Sequence, residues 1–218
     1  SFYSELLKKK KFDINDEILK PYFQLEKVID GAFLTANKLF NITFTKIDHL
    51  QKYHEDVITY EVKDGNGKHL ALFYADFFPR KGKRGGAWMT SFRGQNKYNG
   101  KEQRPHVSIV CNFTKPTETK PSLLTFNEVT TLFHEFGHAL HGIFANGYFE
   151  SLSGTSVYWD FVELPSQLME NWCYENECLD LFAKHYKTGE IIPQVLLDKI
   201  EKAGTFDQGF ATAEYLTA

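Results

Sequence analysis

Cysteine is scarce in this chain. Cys111, Cys173 and Cys178 are the whole set in 218 residues, an odd number with no second pair at matching spacing. That excludes a disulfide framework and points to a reducing compartment, so a cytoplasmic location is expected. An excess of one charge is also missing. Lys and Arg number 25 against 28 Asp and Glu, a net charge of −3, which leaves no chain-wide basic footprint for nucleic acid. No run of about 18 apolar residues occurs, so no membrane-spanning helix is expected. Internal repeats and low-complexity tracts are absent too. The chain opens Ser1-Phe2-Tyr3 without an initiator Met or a basic-then-apolar leader, so any signal peptide would lie upstream. Phe210 to Ala218 favours helix and carries no Gly or Pro stop signal, which makes 218 residues read as a piece of something longer.

What the chain does hold is apolar bulk. Aromatics reach 16%, including 20 Phe, and apolar residues 42%, enough to build a sizeable core. Three zones follow. Residues 1–41 read as helical: Ile18, Leu19, Tyr22, Phe23, Leu25, Val28, Ile29 and Phe33 recur at helical spacing from Asn15 to about Phe40, with Pro21 near an entry or a break. The Lys8–Lys11 run reads as a solvated face. Residues 42–121 read as a small antiparallel sheet. Val57–Val62 and Leu70–Ala75 flank Asp64-Gly65-Asn66-Gly67, a hairpin signal, and Ala87–Phe92 and His106–Cys111 are further strands. Residues 122–218 turn helical again: Thr125 to Gly147, Asp160 to about Tyr186, then a third helix to about Lys202. The fold class is α+β, mainly α.

The chemistry concentrates in His134-Glu135-Phe136-Gly137-His138, an HExxH motif. On a helix, positions i and i+4 share a face, so both imidazoles reach one metal ion, and Glu135 beside them can take a proton from a metal-bound water. The capping-box spacing Thr125-Phe126-Asn127-Glu128 supplies the helix start. A catalytic zinc takes three protein ligands and leaves a position open. His141 lies too far along the axis to join without distortion. Glu163, on the next helix, is the better third ligand, although Asp160 and Glu163 at i, i+3 also suit a capping pair. Glu170 and Asp160 are candidates to hold the outer nitrogens of the ligand histidines. Gly86, Ala87 and Trp88 are candidates to bind substrate: Ala87–Met89 reads either as an edge strand that pairs with an extended peptide or as a core strand. Lys81, Lys83 and Arg84 just before it read as a solvated loop, the alternative being a cationic site for a peptide's C-terminal carboxylate. Cys173 and Cys178 read as buried thiols rather than zinc ligands.

His134–Gly142, with Ser153-Gly154-Thr155 and Phe161-Val162-Glu163-Leu164-Pro165-Ser166-Gln167 downstream, resembles the M3 family of zinc oligopeptidases, the thimet oligopeptidase family. Phe73–Phe78 and Gly85–Met89 resemble the strands that precede that family's zinc helix, so the likeness covers nearly the whole chain. The short loop after Gly142 and the Leu152–Thr155 run resemble the bacterial peptidyl-dipeptidases within it. The resemblance implies a helical zincin-like catalytic core, one Zn2+ held by His134, His138 and Glu163, and Glu135 as general base. It further implies hydrolysis of short peptides with release of C-terminal dipeptides, an endo-acting oligopeptidase being the alternative. Family proteins are far longer and carry a Gly- and Tyr-rich substrate-binding segment that nothing here matches. The expectation is therefore a partial catalytic domain whose partner is the remainder of the full-length enzyme, and which by itself is either active or a metal-binding, catalytically incompetent fragment.

Overall fold

A computed structural model describes residues 6–7, 16–204 and 208–217; the Lys8–Lys11 run lies outside them. The N-terminal helical zone is split at its proline. Helix α1 (Asp16–Leu19) passes into a 3-10 turn at Lys20–Tyr22, and α2 (Leu25–Phe40) starts afresh after two intervening residues. Pro21 lacks a donor for a continuous helix, and Phe23, fully buried at the break, anchors the bend. Helix α2 buries Leu25, Val28, Ile29, Ala32 and Ala36 on one face, and Asn41 ends it in the left-handed conformation at φ 54°.

Five strands follow: β1 (Ile42–Lys46), β2 (Ile58–Asp64), β3 (His69–Asp76), β4 (Trp88–Arg93) and β5 (His106–Val110), in the spatial order β1-β2-β3-β5-β4. The β2–β3 hairpin forms as the sequence predicts. Asp64 Oδ1 accepts from the backbone of Asn66 and Lys68, and Gly67 takes φ +80°. The sheet is mixed, however, not antiparallel throughout. Strand β5 runs parallel to β3, with Leu72 beside His106, and antiparallel to β4, with Trp88 opposite Val110. Residues 77–87 carry the chain one strand-width away from β3 before β4 begins, and β5 returns to fill the slot. Strand β4 is left at an edge of the sheet, so the stretch from Ala87 to Met89 leads into an edge strand rather than a core strand.

That loop is not simply solvated. Lys83 is 3% exposed and donates to Asp76 Oδ1 at 2.9 Å and to the carbonyls of Phe78 (2.7 Å) and Cys111 (2.5 Å). Asp76 itself is buried and takes both guanidinium arms of Arg80 at 2.8 and 2.9 Å, plus the Tyr53 hydroxyl at 3.0 Å. Lys83 is therefore bound within the fold and unavailable to a substrate carboxylate.

Helix α3 (Phe126–Ile143) lies on the sheet. It stops before Gly147 because Arg104, reaching up from the β4–β5 connection, donates to the carbonyls of Ile143 (2.7 Å) and Ala145 (3.0 Å) and satisfies the helix end there. Instead of one helix from Asp160 to Tyr186 there are three: α4 (Trp159–Val162), α5 (Leu164–Asn171) and α6 (Asn176–Phe182), with a 3-10 turn at Trp172–Tyr174. Pro165 forces a fresh start at α5, and Glu175 turns extended at ψ 124° before α6. Helices α7 (Gln194–Gly204) and α8 (Gln208–Thr217) close the described chain. All three thiols are free and buried. No helix of the described residues is long and apolar enough to cross a membrane.

Candidate metal centre

The centre begins with the start and the rotation of α3. Thr125 Oγ1 accepts from the Glu128 backbone N–H (3.1 Å) and Glu128 Oε2 accepts from that of Thr125 (2.8 Å), a complete capping box. Rotation is set by one face of aromatic and aliphatic residues. Phe136 meets Phe33 of α2, Phe44 of β1 and Phe73 of β3 with ring centroids 5.8, 5.5 and 6.0 Å away. Burying Val129, Leu132, Phe133, Phe136, Leu140 and Ile143 stabilises this orientation by about 1.5–3 kcal/mol per residue. His134 and His138 must then face the other way, one turn apart, with ring centroids at 4.9 Å.

On that other face α5 crosses at close range. A Cβ on Gly137 would stand 2.6 Å from both the Pro165 carbonyl oxygen and Ser166 Cα, so only glycine permits the approach. The junction of α4 and α5 thereby brings Glu163 Oε2 to 3.3 Å from His134 Nε2 and 3.1 Å from His138 Nε2. Ligand atoms of these three residues all lie within 4.8 Å of one another. Ser166 Oγ donates to Glu163 Oε2 at 2.8 Å and fixes the carboxylate from its own helix. Neither α4 nor α5 has a side-chain cap, so Asp160 and Glu163 do not form the capping pair their spacing allows.

Glu170 lies 2.5 Å from His134 Nδ1. A hydrogen bond there, donated by Nδ1–H, leaves the Nε2 lone pair facing Glu163 and His138, the tautomer a metal ligand needs. Asp160 is exposed, and its carboxylate has no hydrogen bond or ion pair among the described residues. His138 Nδ1 and His141 Nδ1 are buried with no partner there either. The His141 ring stands 6.2 Å from that of Phe161, outside the group of three. Burial pushes both His138 and His141 below the usual histidine range; at His138, Glu163 opposes this.

Glu135 is 6% exposed, and its Oε2 has no hydrogen bond among the described residues. Burial pushes its carboxyl up to about 7; His134 pulls it down and Glu163 adds to the rise. It lines an open cleft with Ala87, Thr130, Thr131, His134 and Glu170. Of the three candidate substrate residues, Ala87 borders this cleft, Trp88 opens edge strand β4, and Gly86 takes φ +89° in the exposed loop before it. Two imidazole nitrogens and one carboxylate oxygen, with an acid beside them, form the donor set that suits an open zinc site.

The sequence profile of Peptidase family M3 matches residues 1–218. The chain belongs to peptidase family M3. It is 44% identical over 219 residues to dipeptidyl carboxypeptidase of Escherichia coli, covering 100% of this chain and 32% of that protein. It is 43% identical over 208 residues to oligopeptidase A of the same organism, covering 94% of this chain and 31% of that protein. An organellar oligopeptidase A of Arabidopsis thaliana is 44% identical over 216 residues, covering 96% of this chain and 27% of that protein. The M3 chain thus spans about a third of the length of the curated relatives it matches. Two of its residues shape the centre without having been singled out by sequence. Gly137 carried a signal, the smallest residue at an inner position of the motif, and Ser166, three after Glu163, carried the spacing of a helix-start contact.

Proposed function

We propose that this M3 chain is the zinc-bearing part of a metallopeptidase that hydrolyses short oligopeptides and releases dipeptides from their C-termini. The convergence of His134, His138 and Glu163 beside buried Glu135 carries the reading. His134 and His138 through Nε2, and Glu163 through a carboxylate oxygen, would hold one Zn2+, with Glu170 steadying His134. When bound, zinc supplies a Lewis acid for the scissile carbonyl and acidifies a water molecule. Glu135 accepts the proton that the attacking water loses and delivers it to the amine as the C–N bond breaks. The strand edge at exposed Gly86 and half-buried Ala87 and Trp88 pairs with the extended peptide backbone, which binds peptides of many sequences. The three stretches read from sequence, 1–41, 42–121 and 122–218, belong to one partial catalytic domain, and the remainder of the full-length enzyme completes the substrate site. Three buried free thiols and a relative named as a probable cytosolic oligopeptidase A support the cytoplasm as its location.

Matched peptides with free and amidated C-termini test the specificity in the full-length enzyme. Stepwise loss of dipeptides from the free peptide alone, read by mass spectrometry, is the expected result. Equal internal cleavage of the amidated peptide overturns dipeptide release in favour of an endo-acting oligopeptidase, a reading that the 43% identity to oligopeptidase A supports. A third reading, a metal-binding but catalytically incompetent fragment, concerns this chain alone and is supported by its covering a third of its relatives. Turnover of a quenched peptide by the isolated chain with zinc, lost in Glu135→Gln, would refute it.

A further inference from the structure

We infer that Asn112 is a positioning residue for the peptide-binding edge: it holds the backbone of Arg84–Gly86 so that Ala87 is presented to the cleft just ahead of edge strand β4. The inference rests on the peptidase reading above. Asn112 follows β5, and its Nδ2 donates to the Arg84 carbonyl at 2.9 Å and to the Gly86 carbonyl at 2.8 Å. Two carbonyl acceptors fix which end of the amide faces the loop, since only the NH2 end can satisfy both. Arg84, Gly85 and Gly86 are exposed, and among the described residues these two bonds are the only ones, besides any ladder contacts, that hold them. Gly86, at φ +89°, occupies a conformation that L side chains rarely adopt and glycine adopts freely, and the Asn112 bond to its carbonyl holds it there. The next residue, Ala87, lines the cleft with His134, Glu135 and Glu170. Buried Lys83, bonded to Asp76 and to the Phe78 and Cys111 carbonyls, fixes the preceding part of the loop, so Asn112 governs only the last residues before the strand.

Such a residue acts on binding, not on the reacting atoms. In the full-length enzyme, Asn112→Ala should raise KM for unmodified peptides about tenfold, the scale of two lost hydrogen bonds, with kcat within about twofold and zinc content unchanged. Asn112→Asp keeps the side-chain volume but turns an acceptor towards two carbonyls, and should raise KM at least as far; it serves where Asn112→Ala does not fold. A second readout separates positioning from general loosening. Peptides N-methylated at one backbone nitrogen at a time should show a position-specific loss of binding in the wild type that shrinks in either variant. An unchanged KM, or a fall in kcat and zinc content at constant KM, overturns the role of Asn112. A wild-type enzyme that cleaves none of the peptides overturns the peptidase reading beneath it.

Discussion

Glu163 sits at the N-cap of α5 and Glu170 about two turns further along that helix, yet they face His134 from two sides. Glu163 Oε2 approaches Nε2, and Glu170 Oε1 approaches Nδ1. Their removal should separate ligand from support. Glu163→Ala should strip zinc from the full-length enzyme, measured by elemental analysis after dialysis. Glu170→Ala should weaken zinc binding by roughly 10–100-fold in a chelator competition while leaving the metal loadable. Unchanged zinc retention in Glu163→Ala would remove it from the ligand set. Glu135→Gln should keep zinc and lower kcat by about 10²–10⁴-fold, since the variant cannot take a proton.

At the scale of elements, the centre depends on how closely two helices approach. Gly137→Ala places a methyl group 2.6 Å from the backbone of α5. The helices must part, at a cost of about 1–3 kcal/mol by analogy with overpacked cores, and Glu163 retreats with α5. The expected outcome is a lower melting temperature together with weaker zinc binding, and a variant with normal zinc affinity would show that α5 can shift without its ligand. Thr125→Ala removes one half of the capping box and should destabilise by about 1 kcal/mol without altering metal content. The hairpin, the start of α3 and the break at Pro21 were legible because their determinants are local: a turn of Gly and Asn, a side chain three residues from its partner, a missing N–H. The insertion of β5 between β3 and β4 was not, because strand order is decided by pairing partners more than thirty residues apart in sequence.

For the whole molecule, the Asp76 cluster ties together the end of β3, the loop after it and the end of β5. Burial raises the Asp76 pKa, but the bonds from Arg80, Lys83 and Tyr53 outweigh it and hold the carboxyl below the usual range. The folded value is thus depressed, so this stabilisation is present above the ordinary aspartate value, about 3.9, and is lost as pH falls through the folded value. Acid unfolding followed by circular dichroism should therefore begin at higher pH, and with a shallower dependence in the most acidic range, when Asp76 is replaced by Asn. That variant leaves Lys83 buried without its counter-charge and should cost roughly 3–5 kcal/mol near neutral pH. Lys83 is the residue that the sequence misrepresented most: a lysine among glycines reads as solvated, and nothing local reveals the carboxylate seven residues earlier that draws it inward.

By itself, the sequence determined the histidine pair one turn apart, the acid beside it, the capped helix that carries them and the α+β class, because each follows from contacts within about one helical turn or one hairpin. It also offered Glu163 as the candidate third ligand, with a capping pair as the competing use of that residue. Only the tertiary structure shows that Glu163 makes no side-chain cap and that α5, packed against Gly137, brings it together with both imidazoles. Likewise, only the folded chain decided that β4 is an edge, that Glu170 and not Asp160 meets His134, and that Asn112 holds the glycine loop. Those choices depend on distances between segments far apart in the chain, which packing fixes and no local pattern encodes.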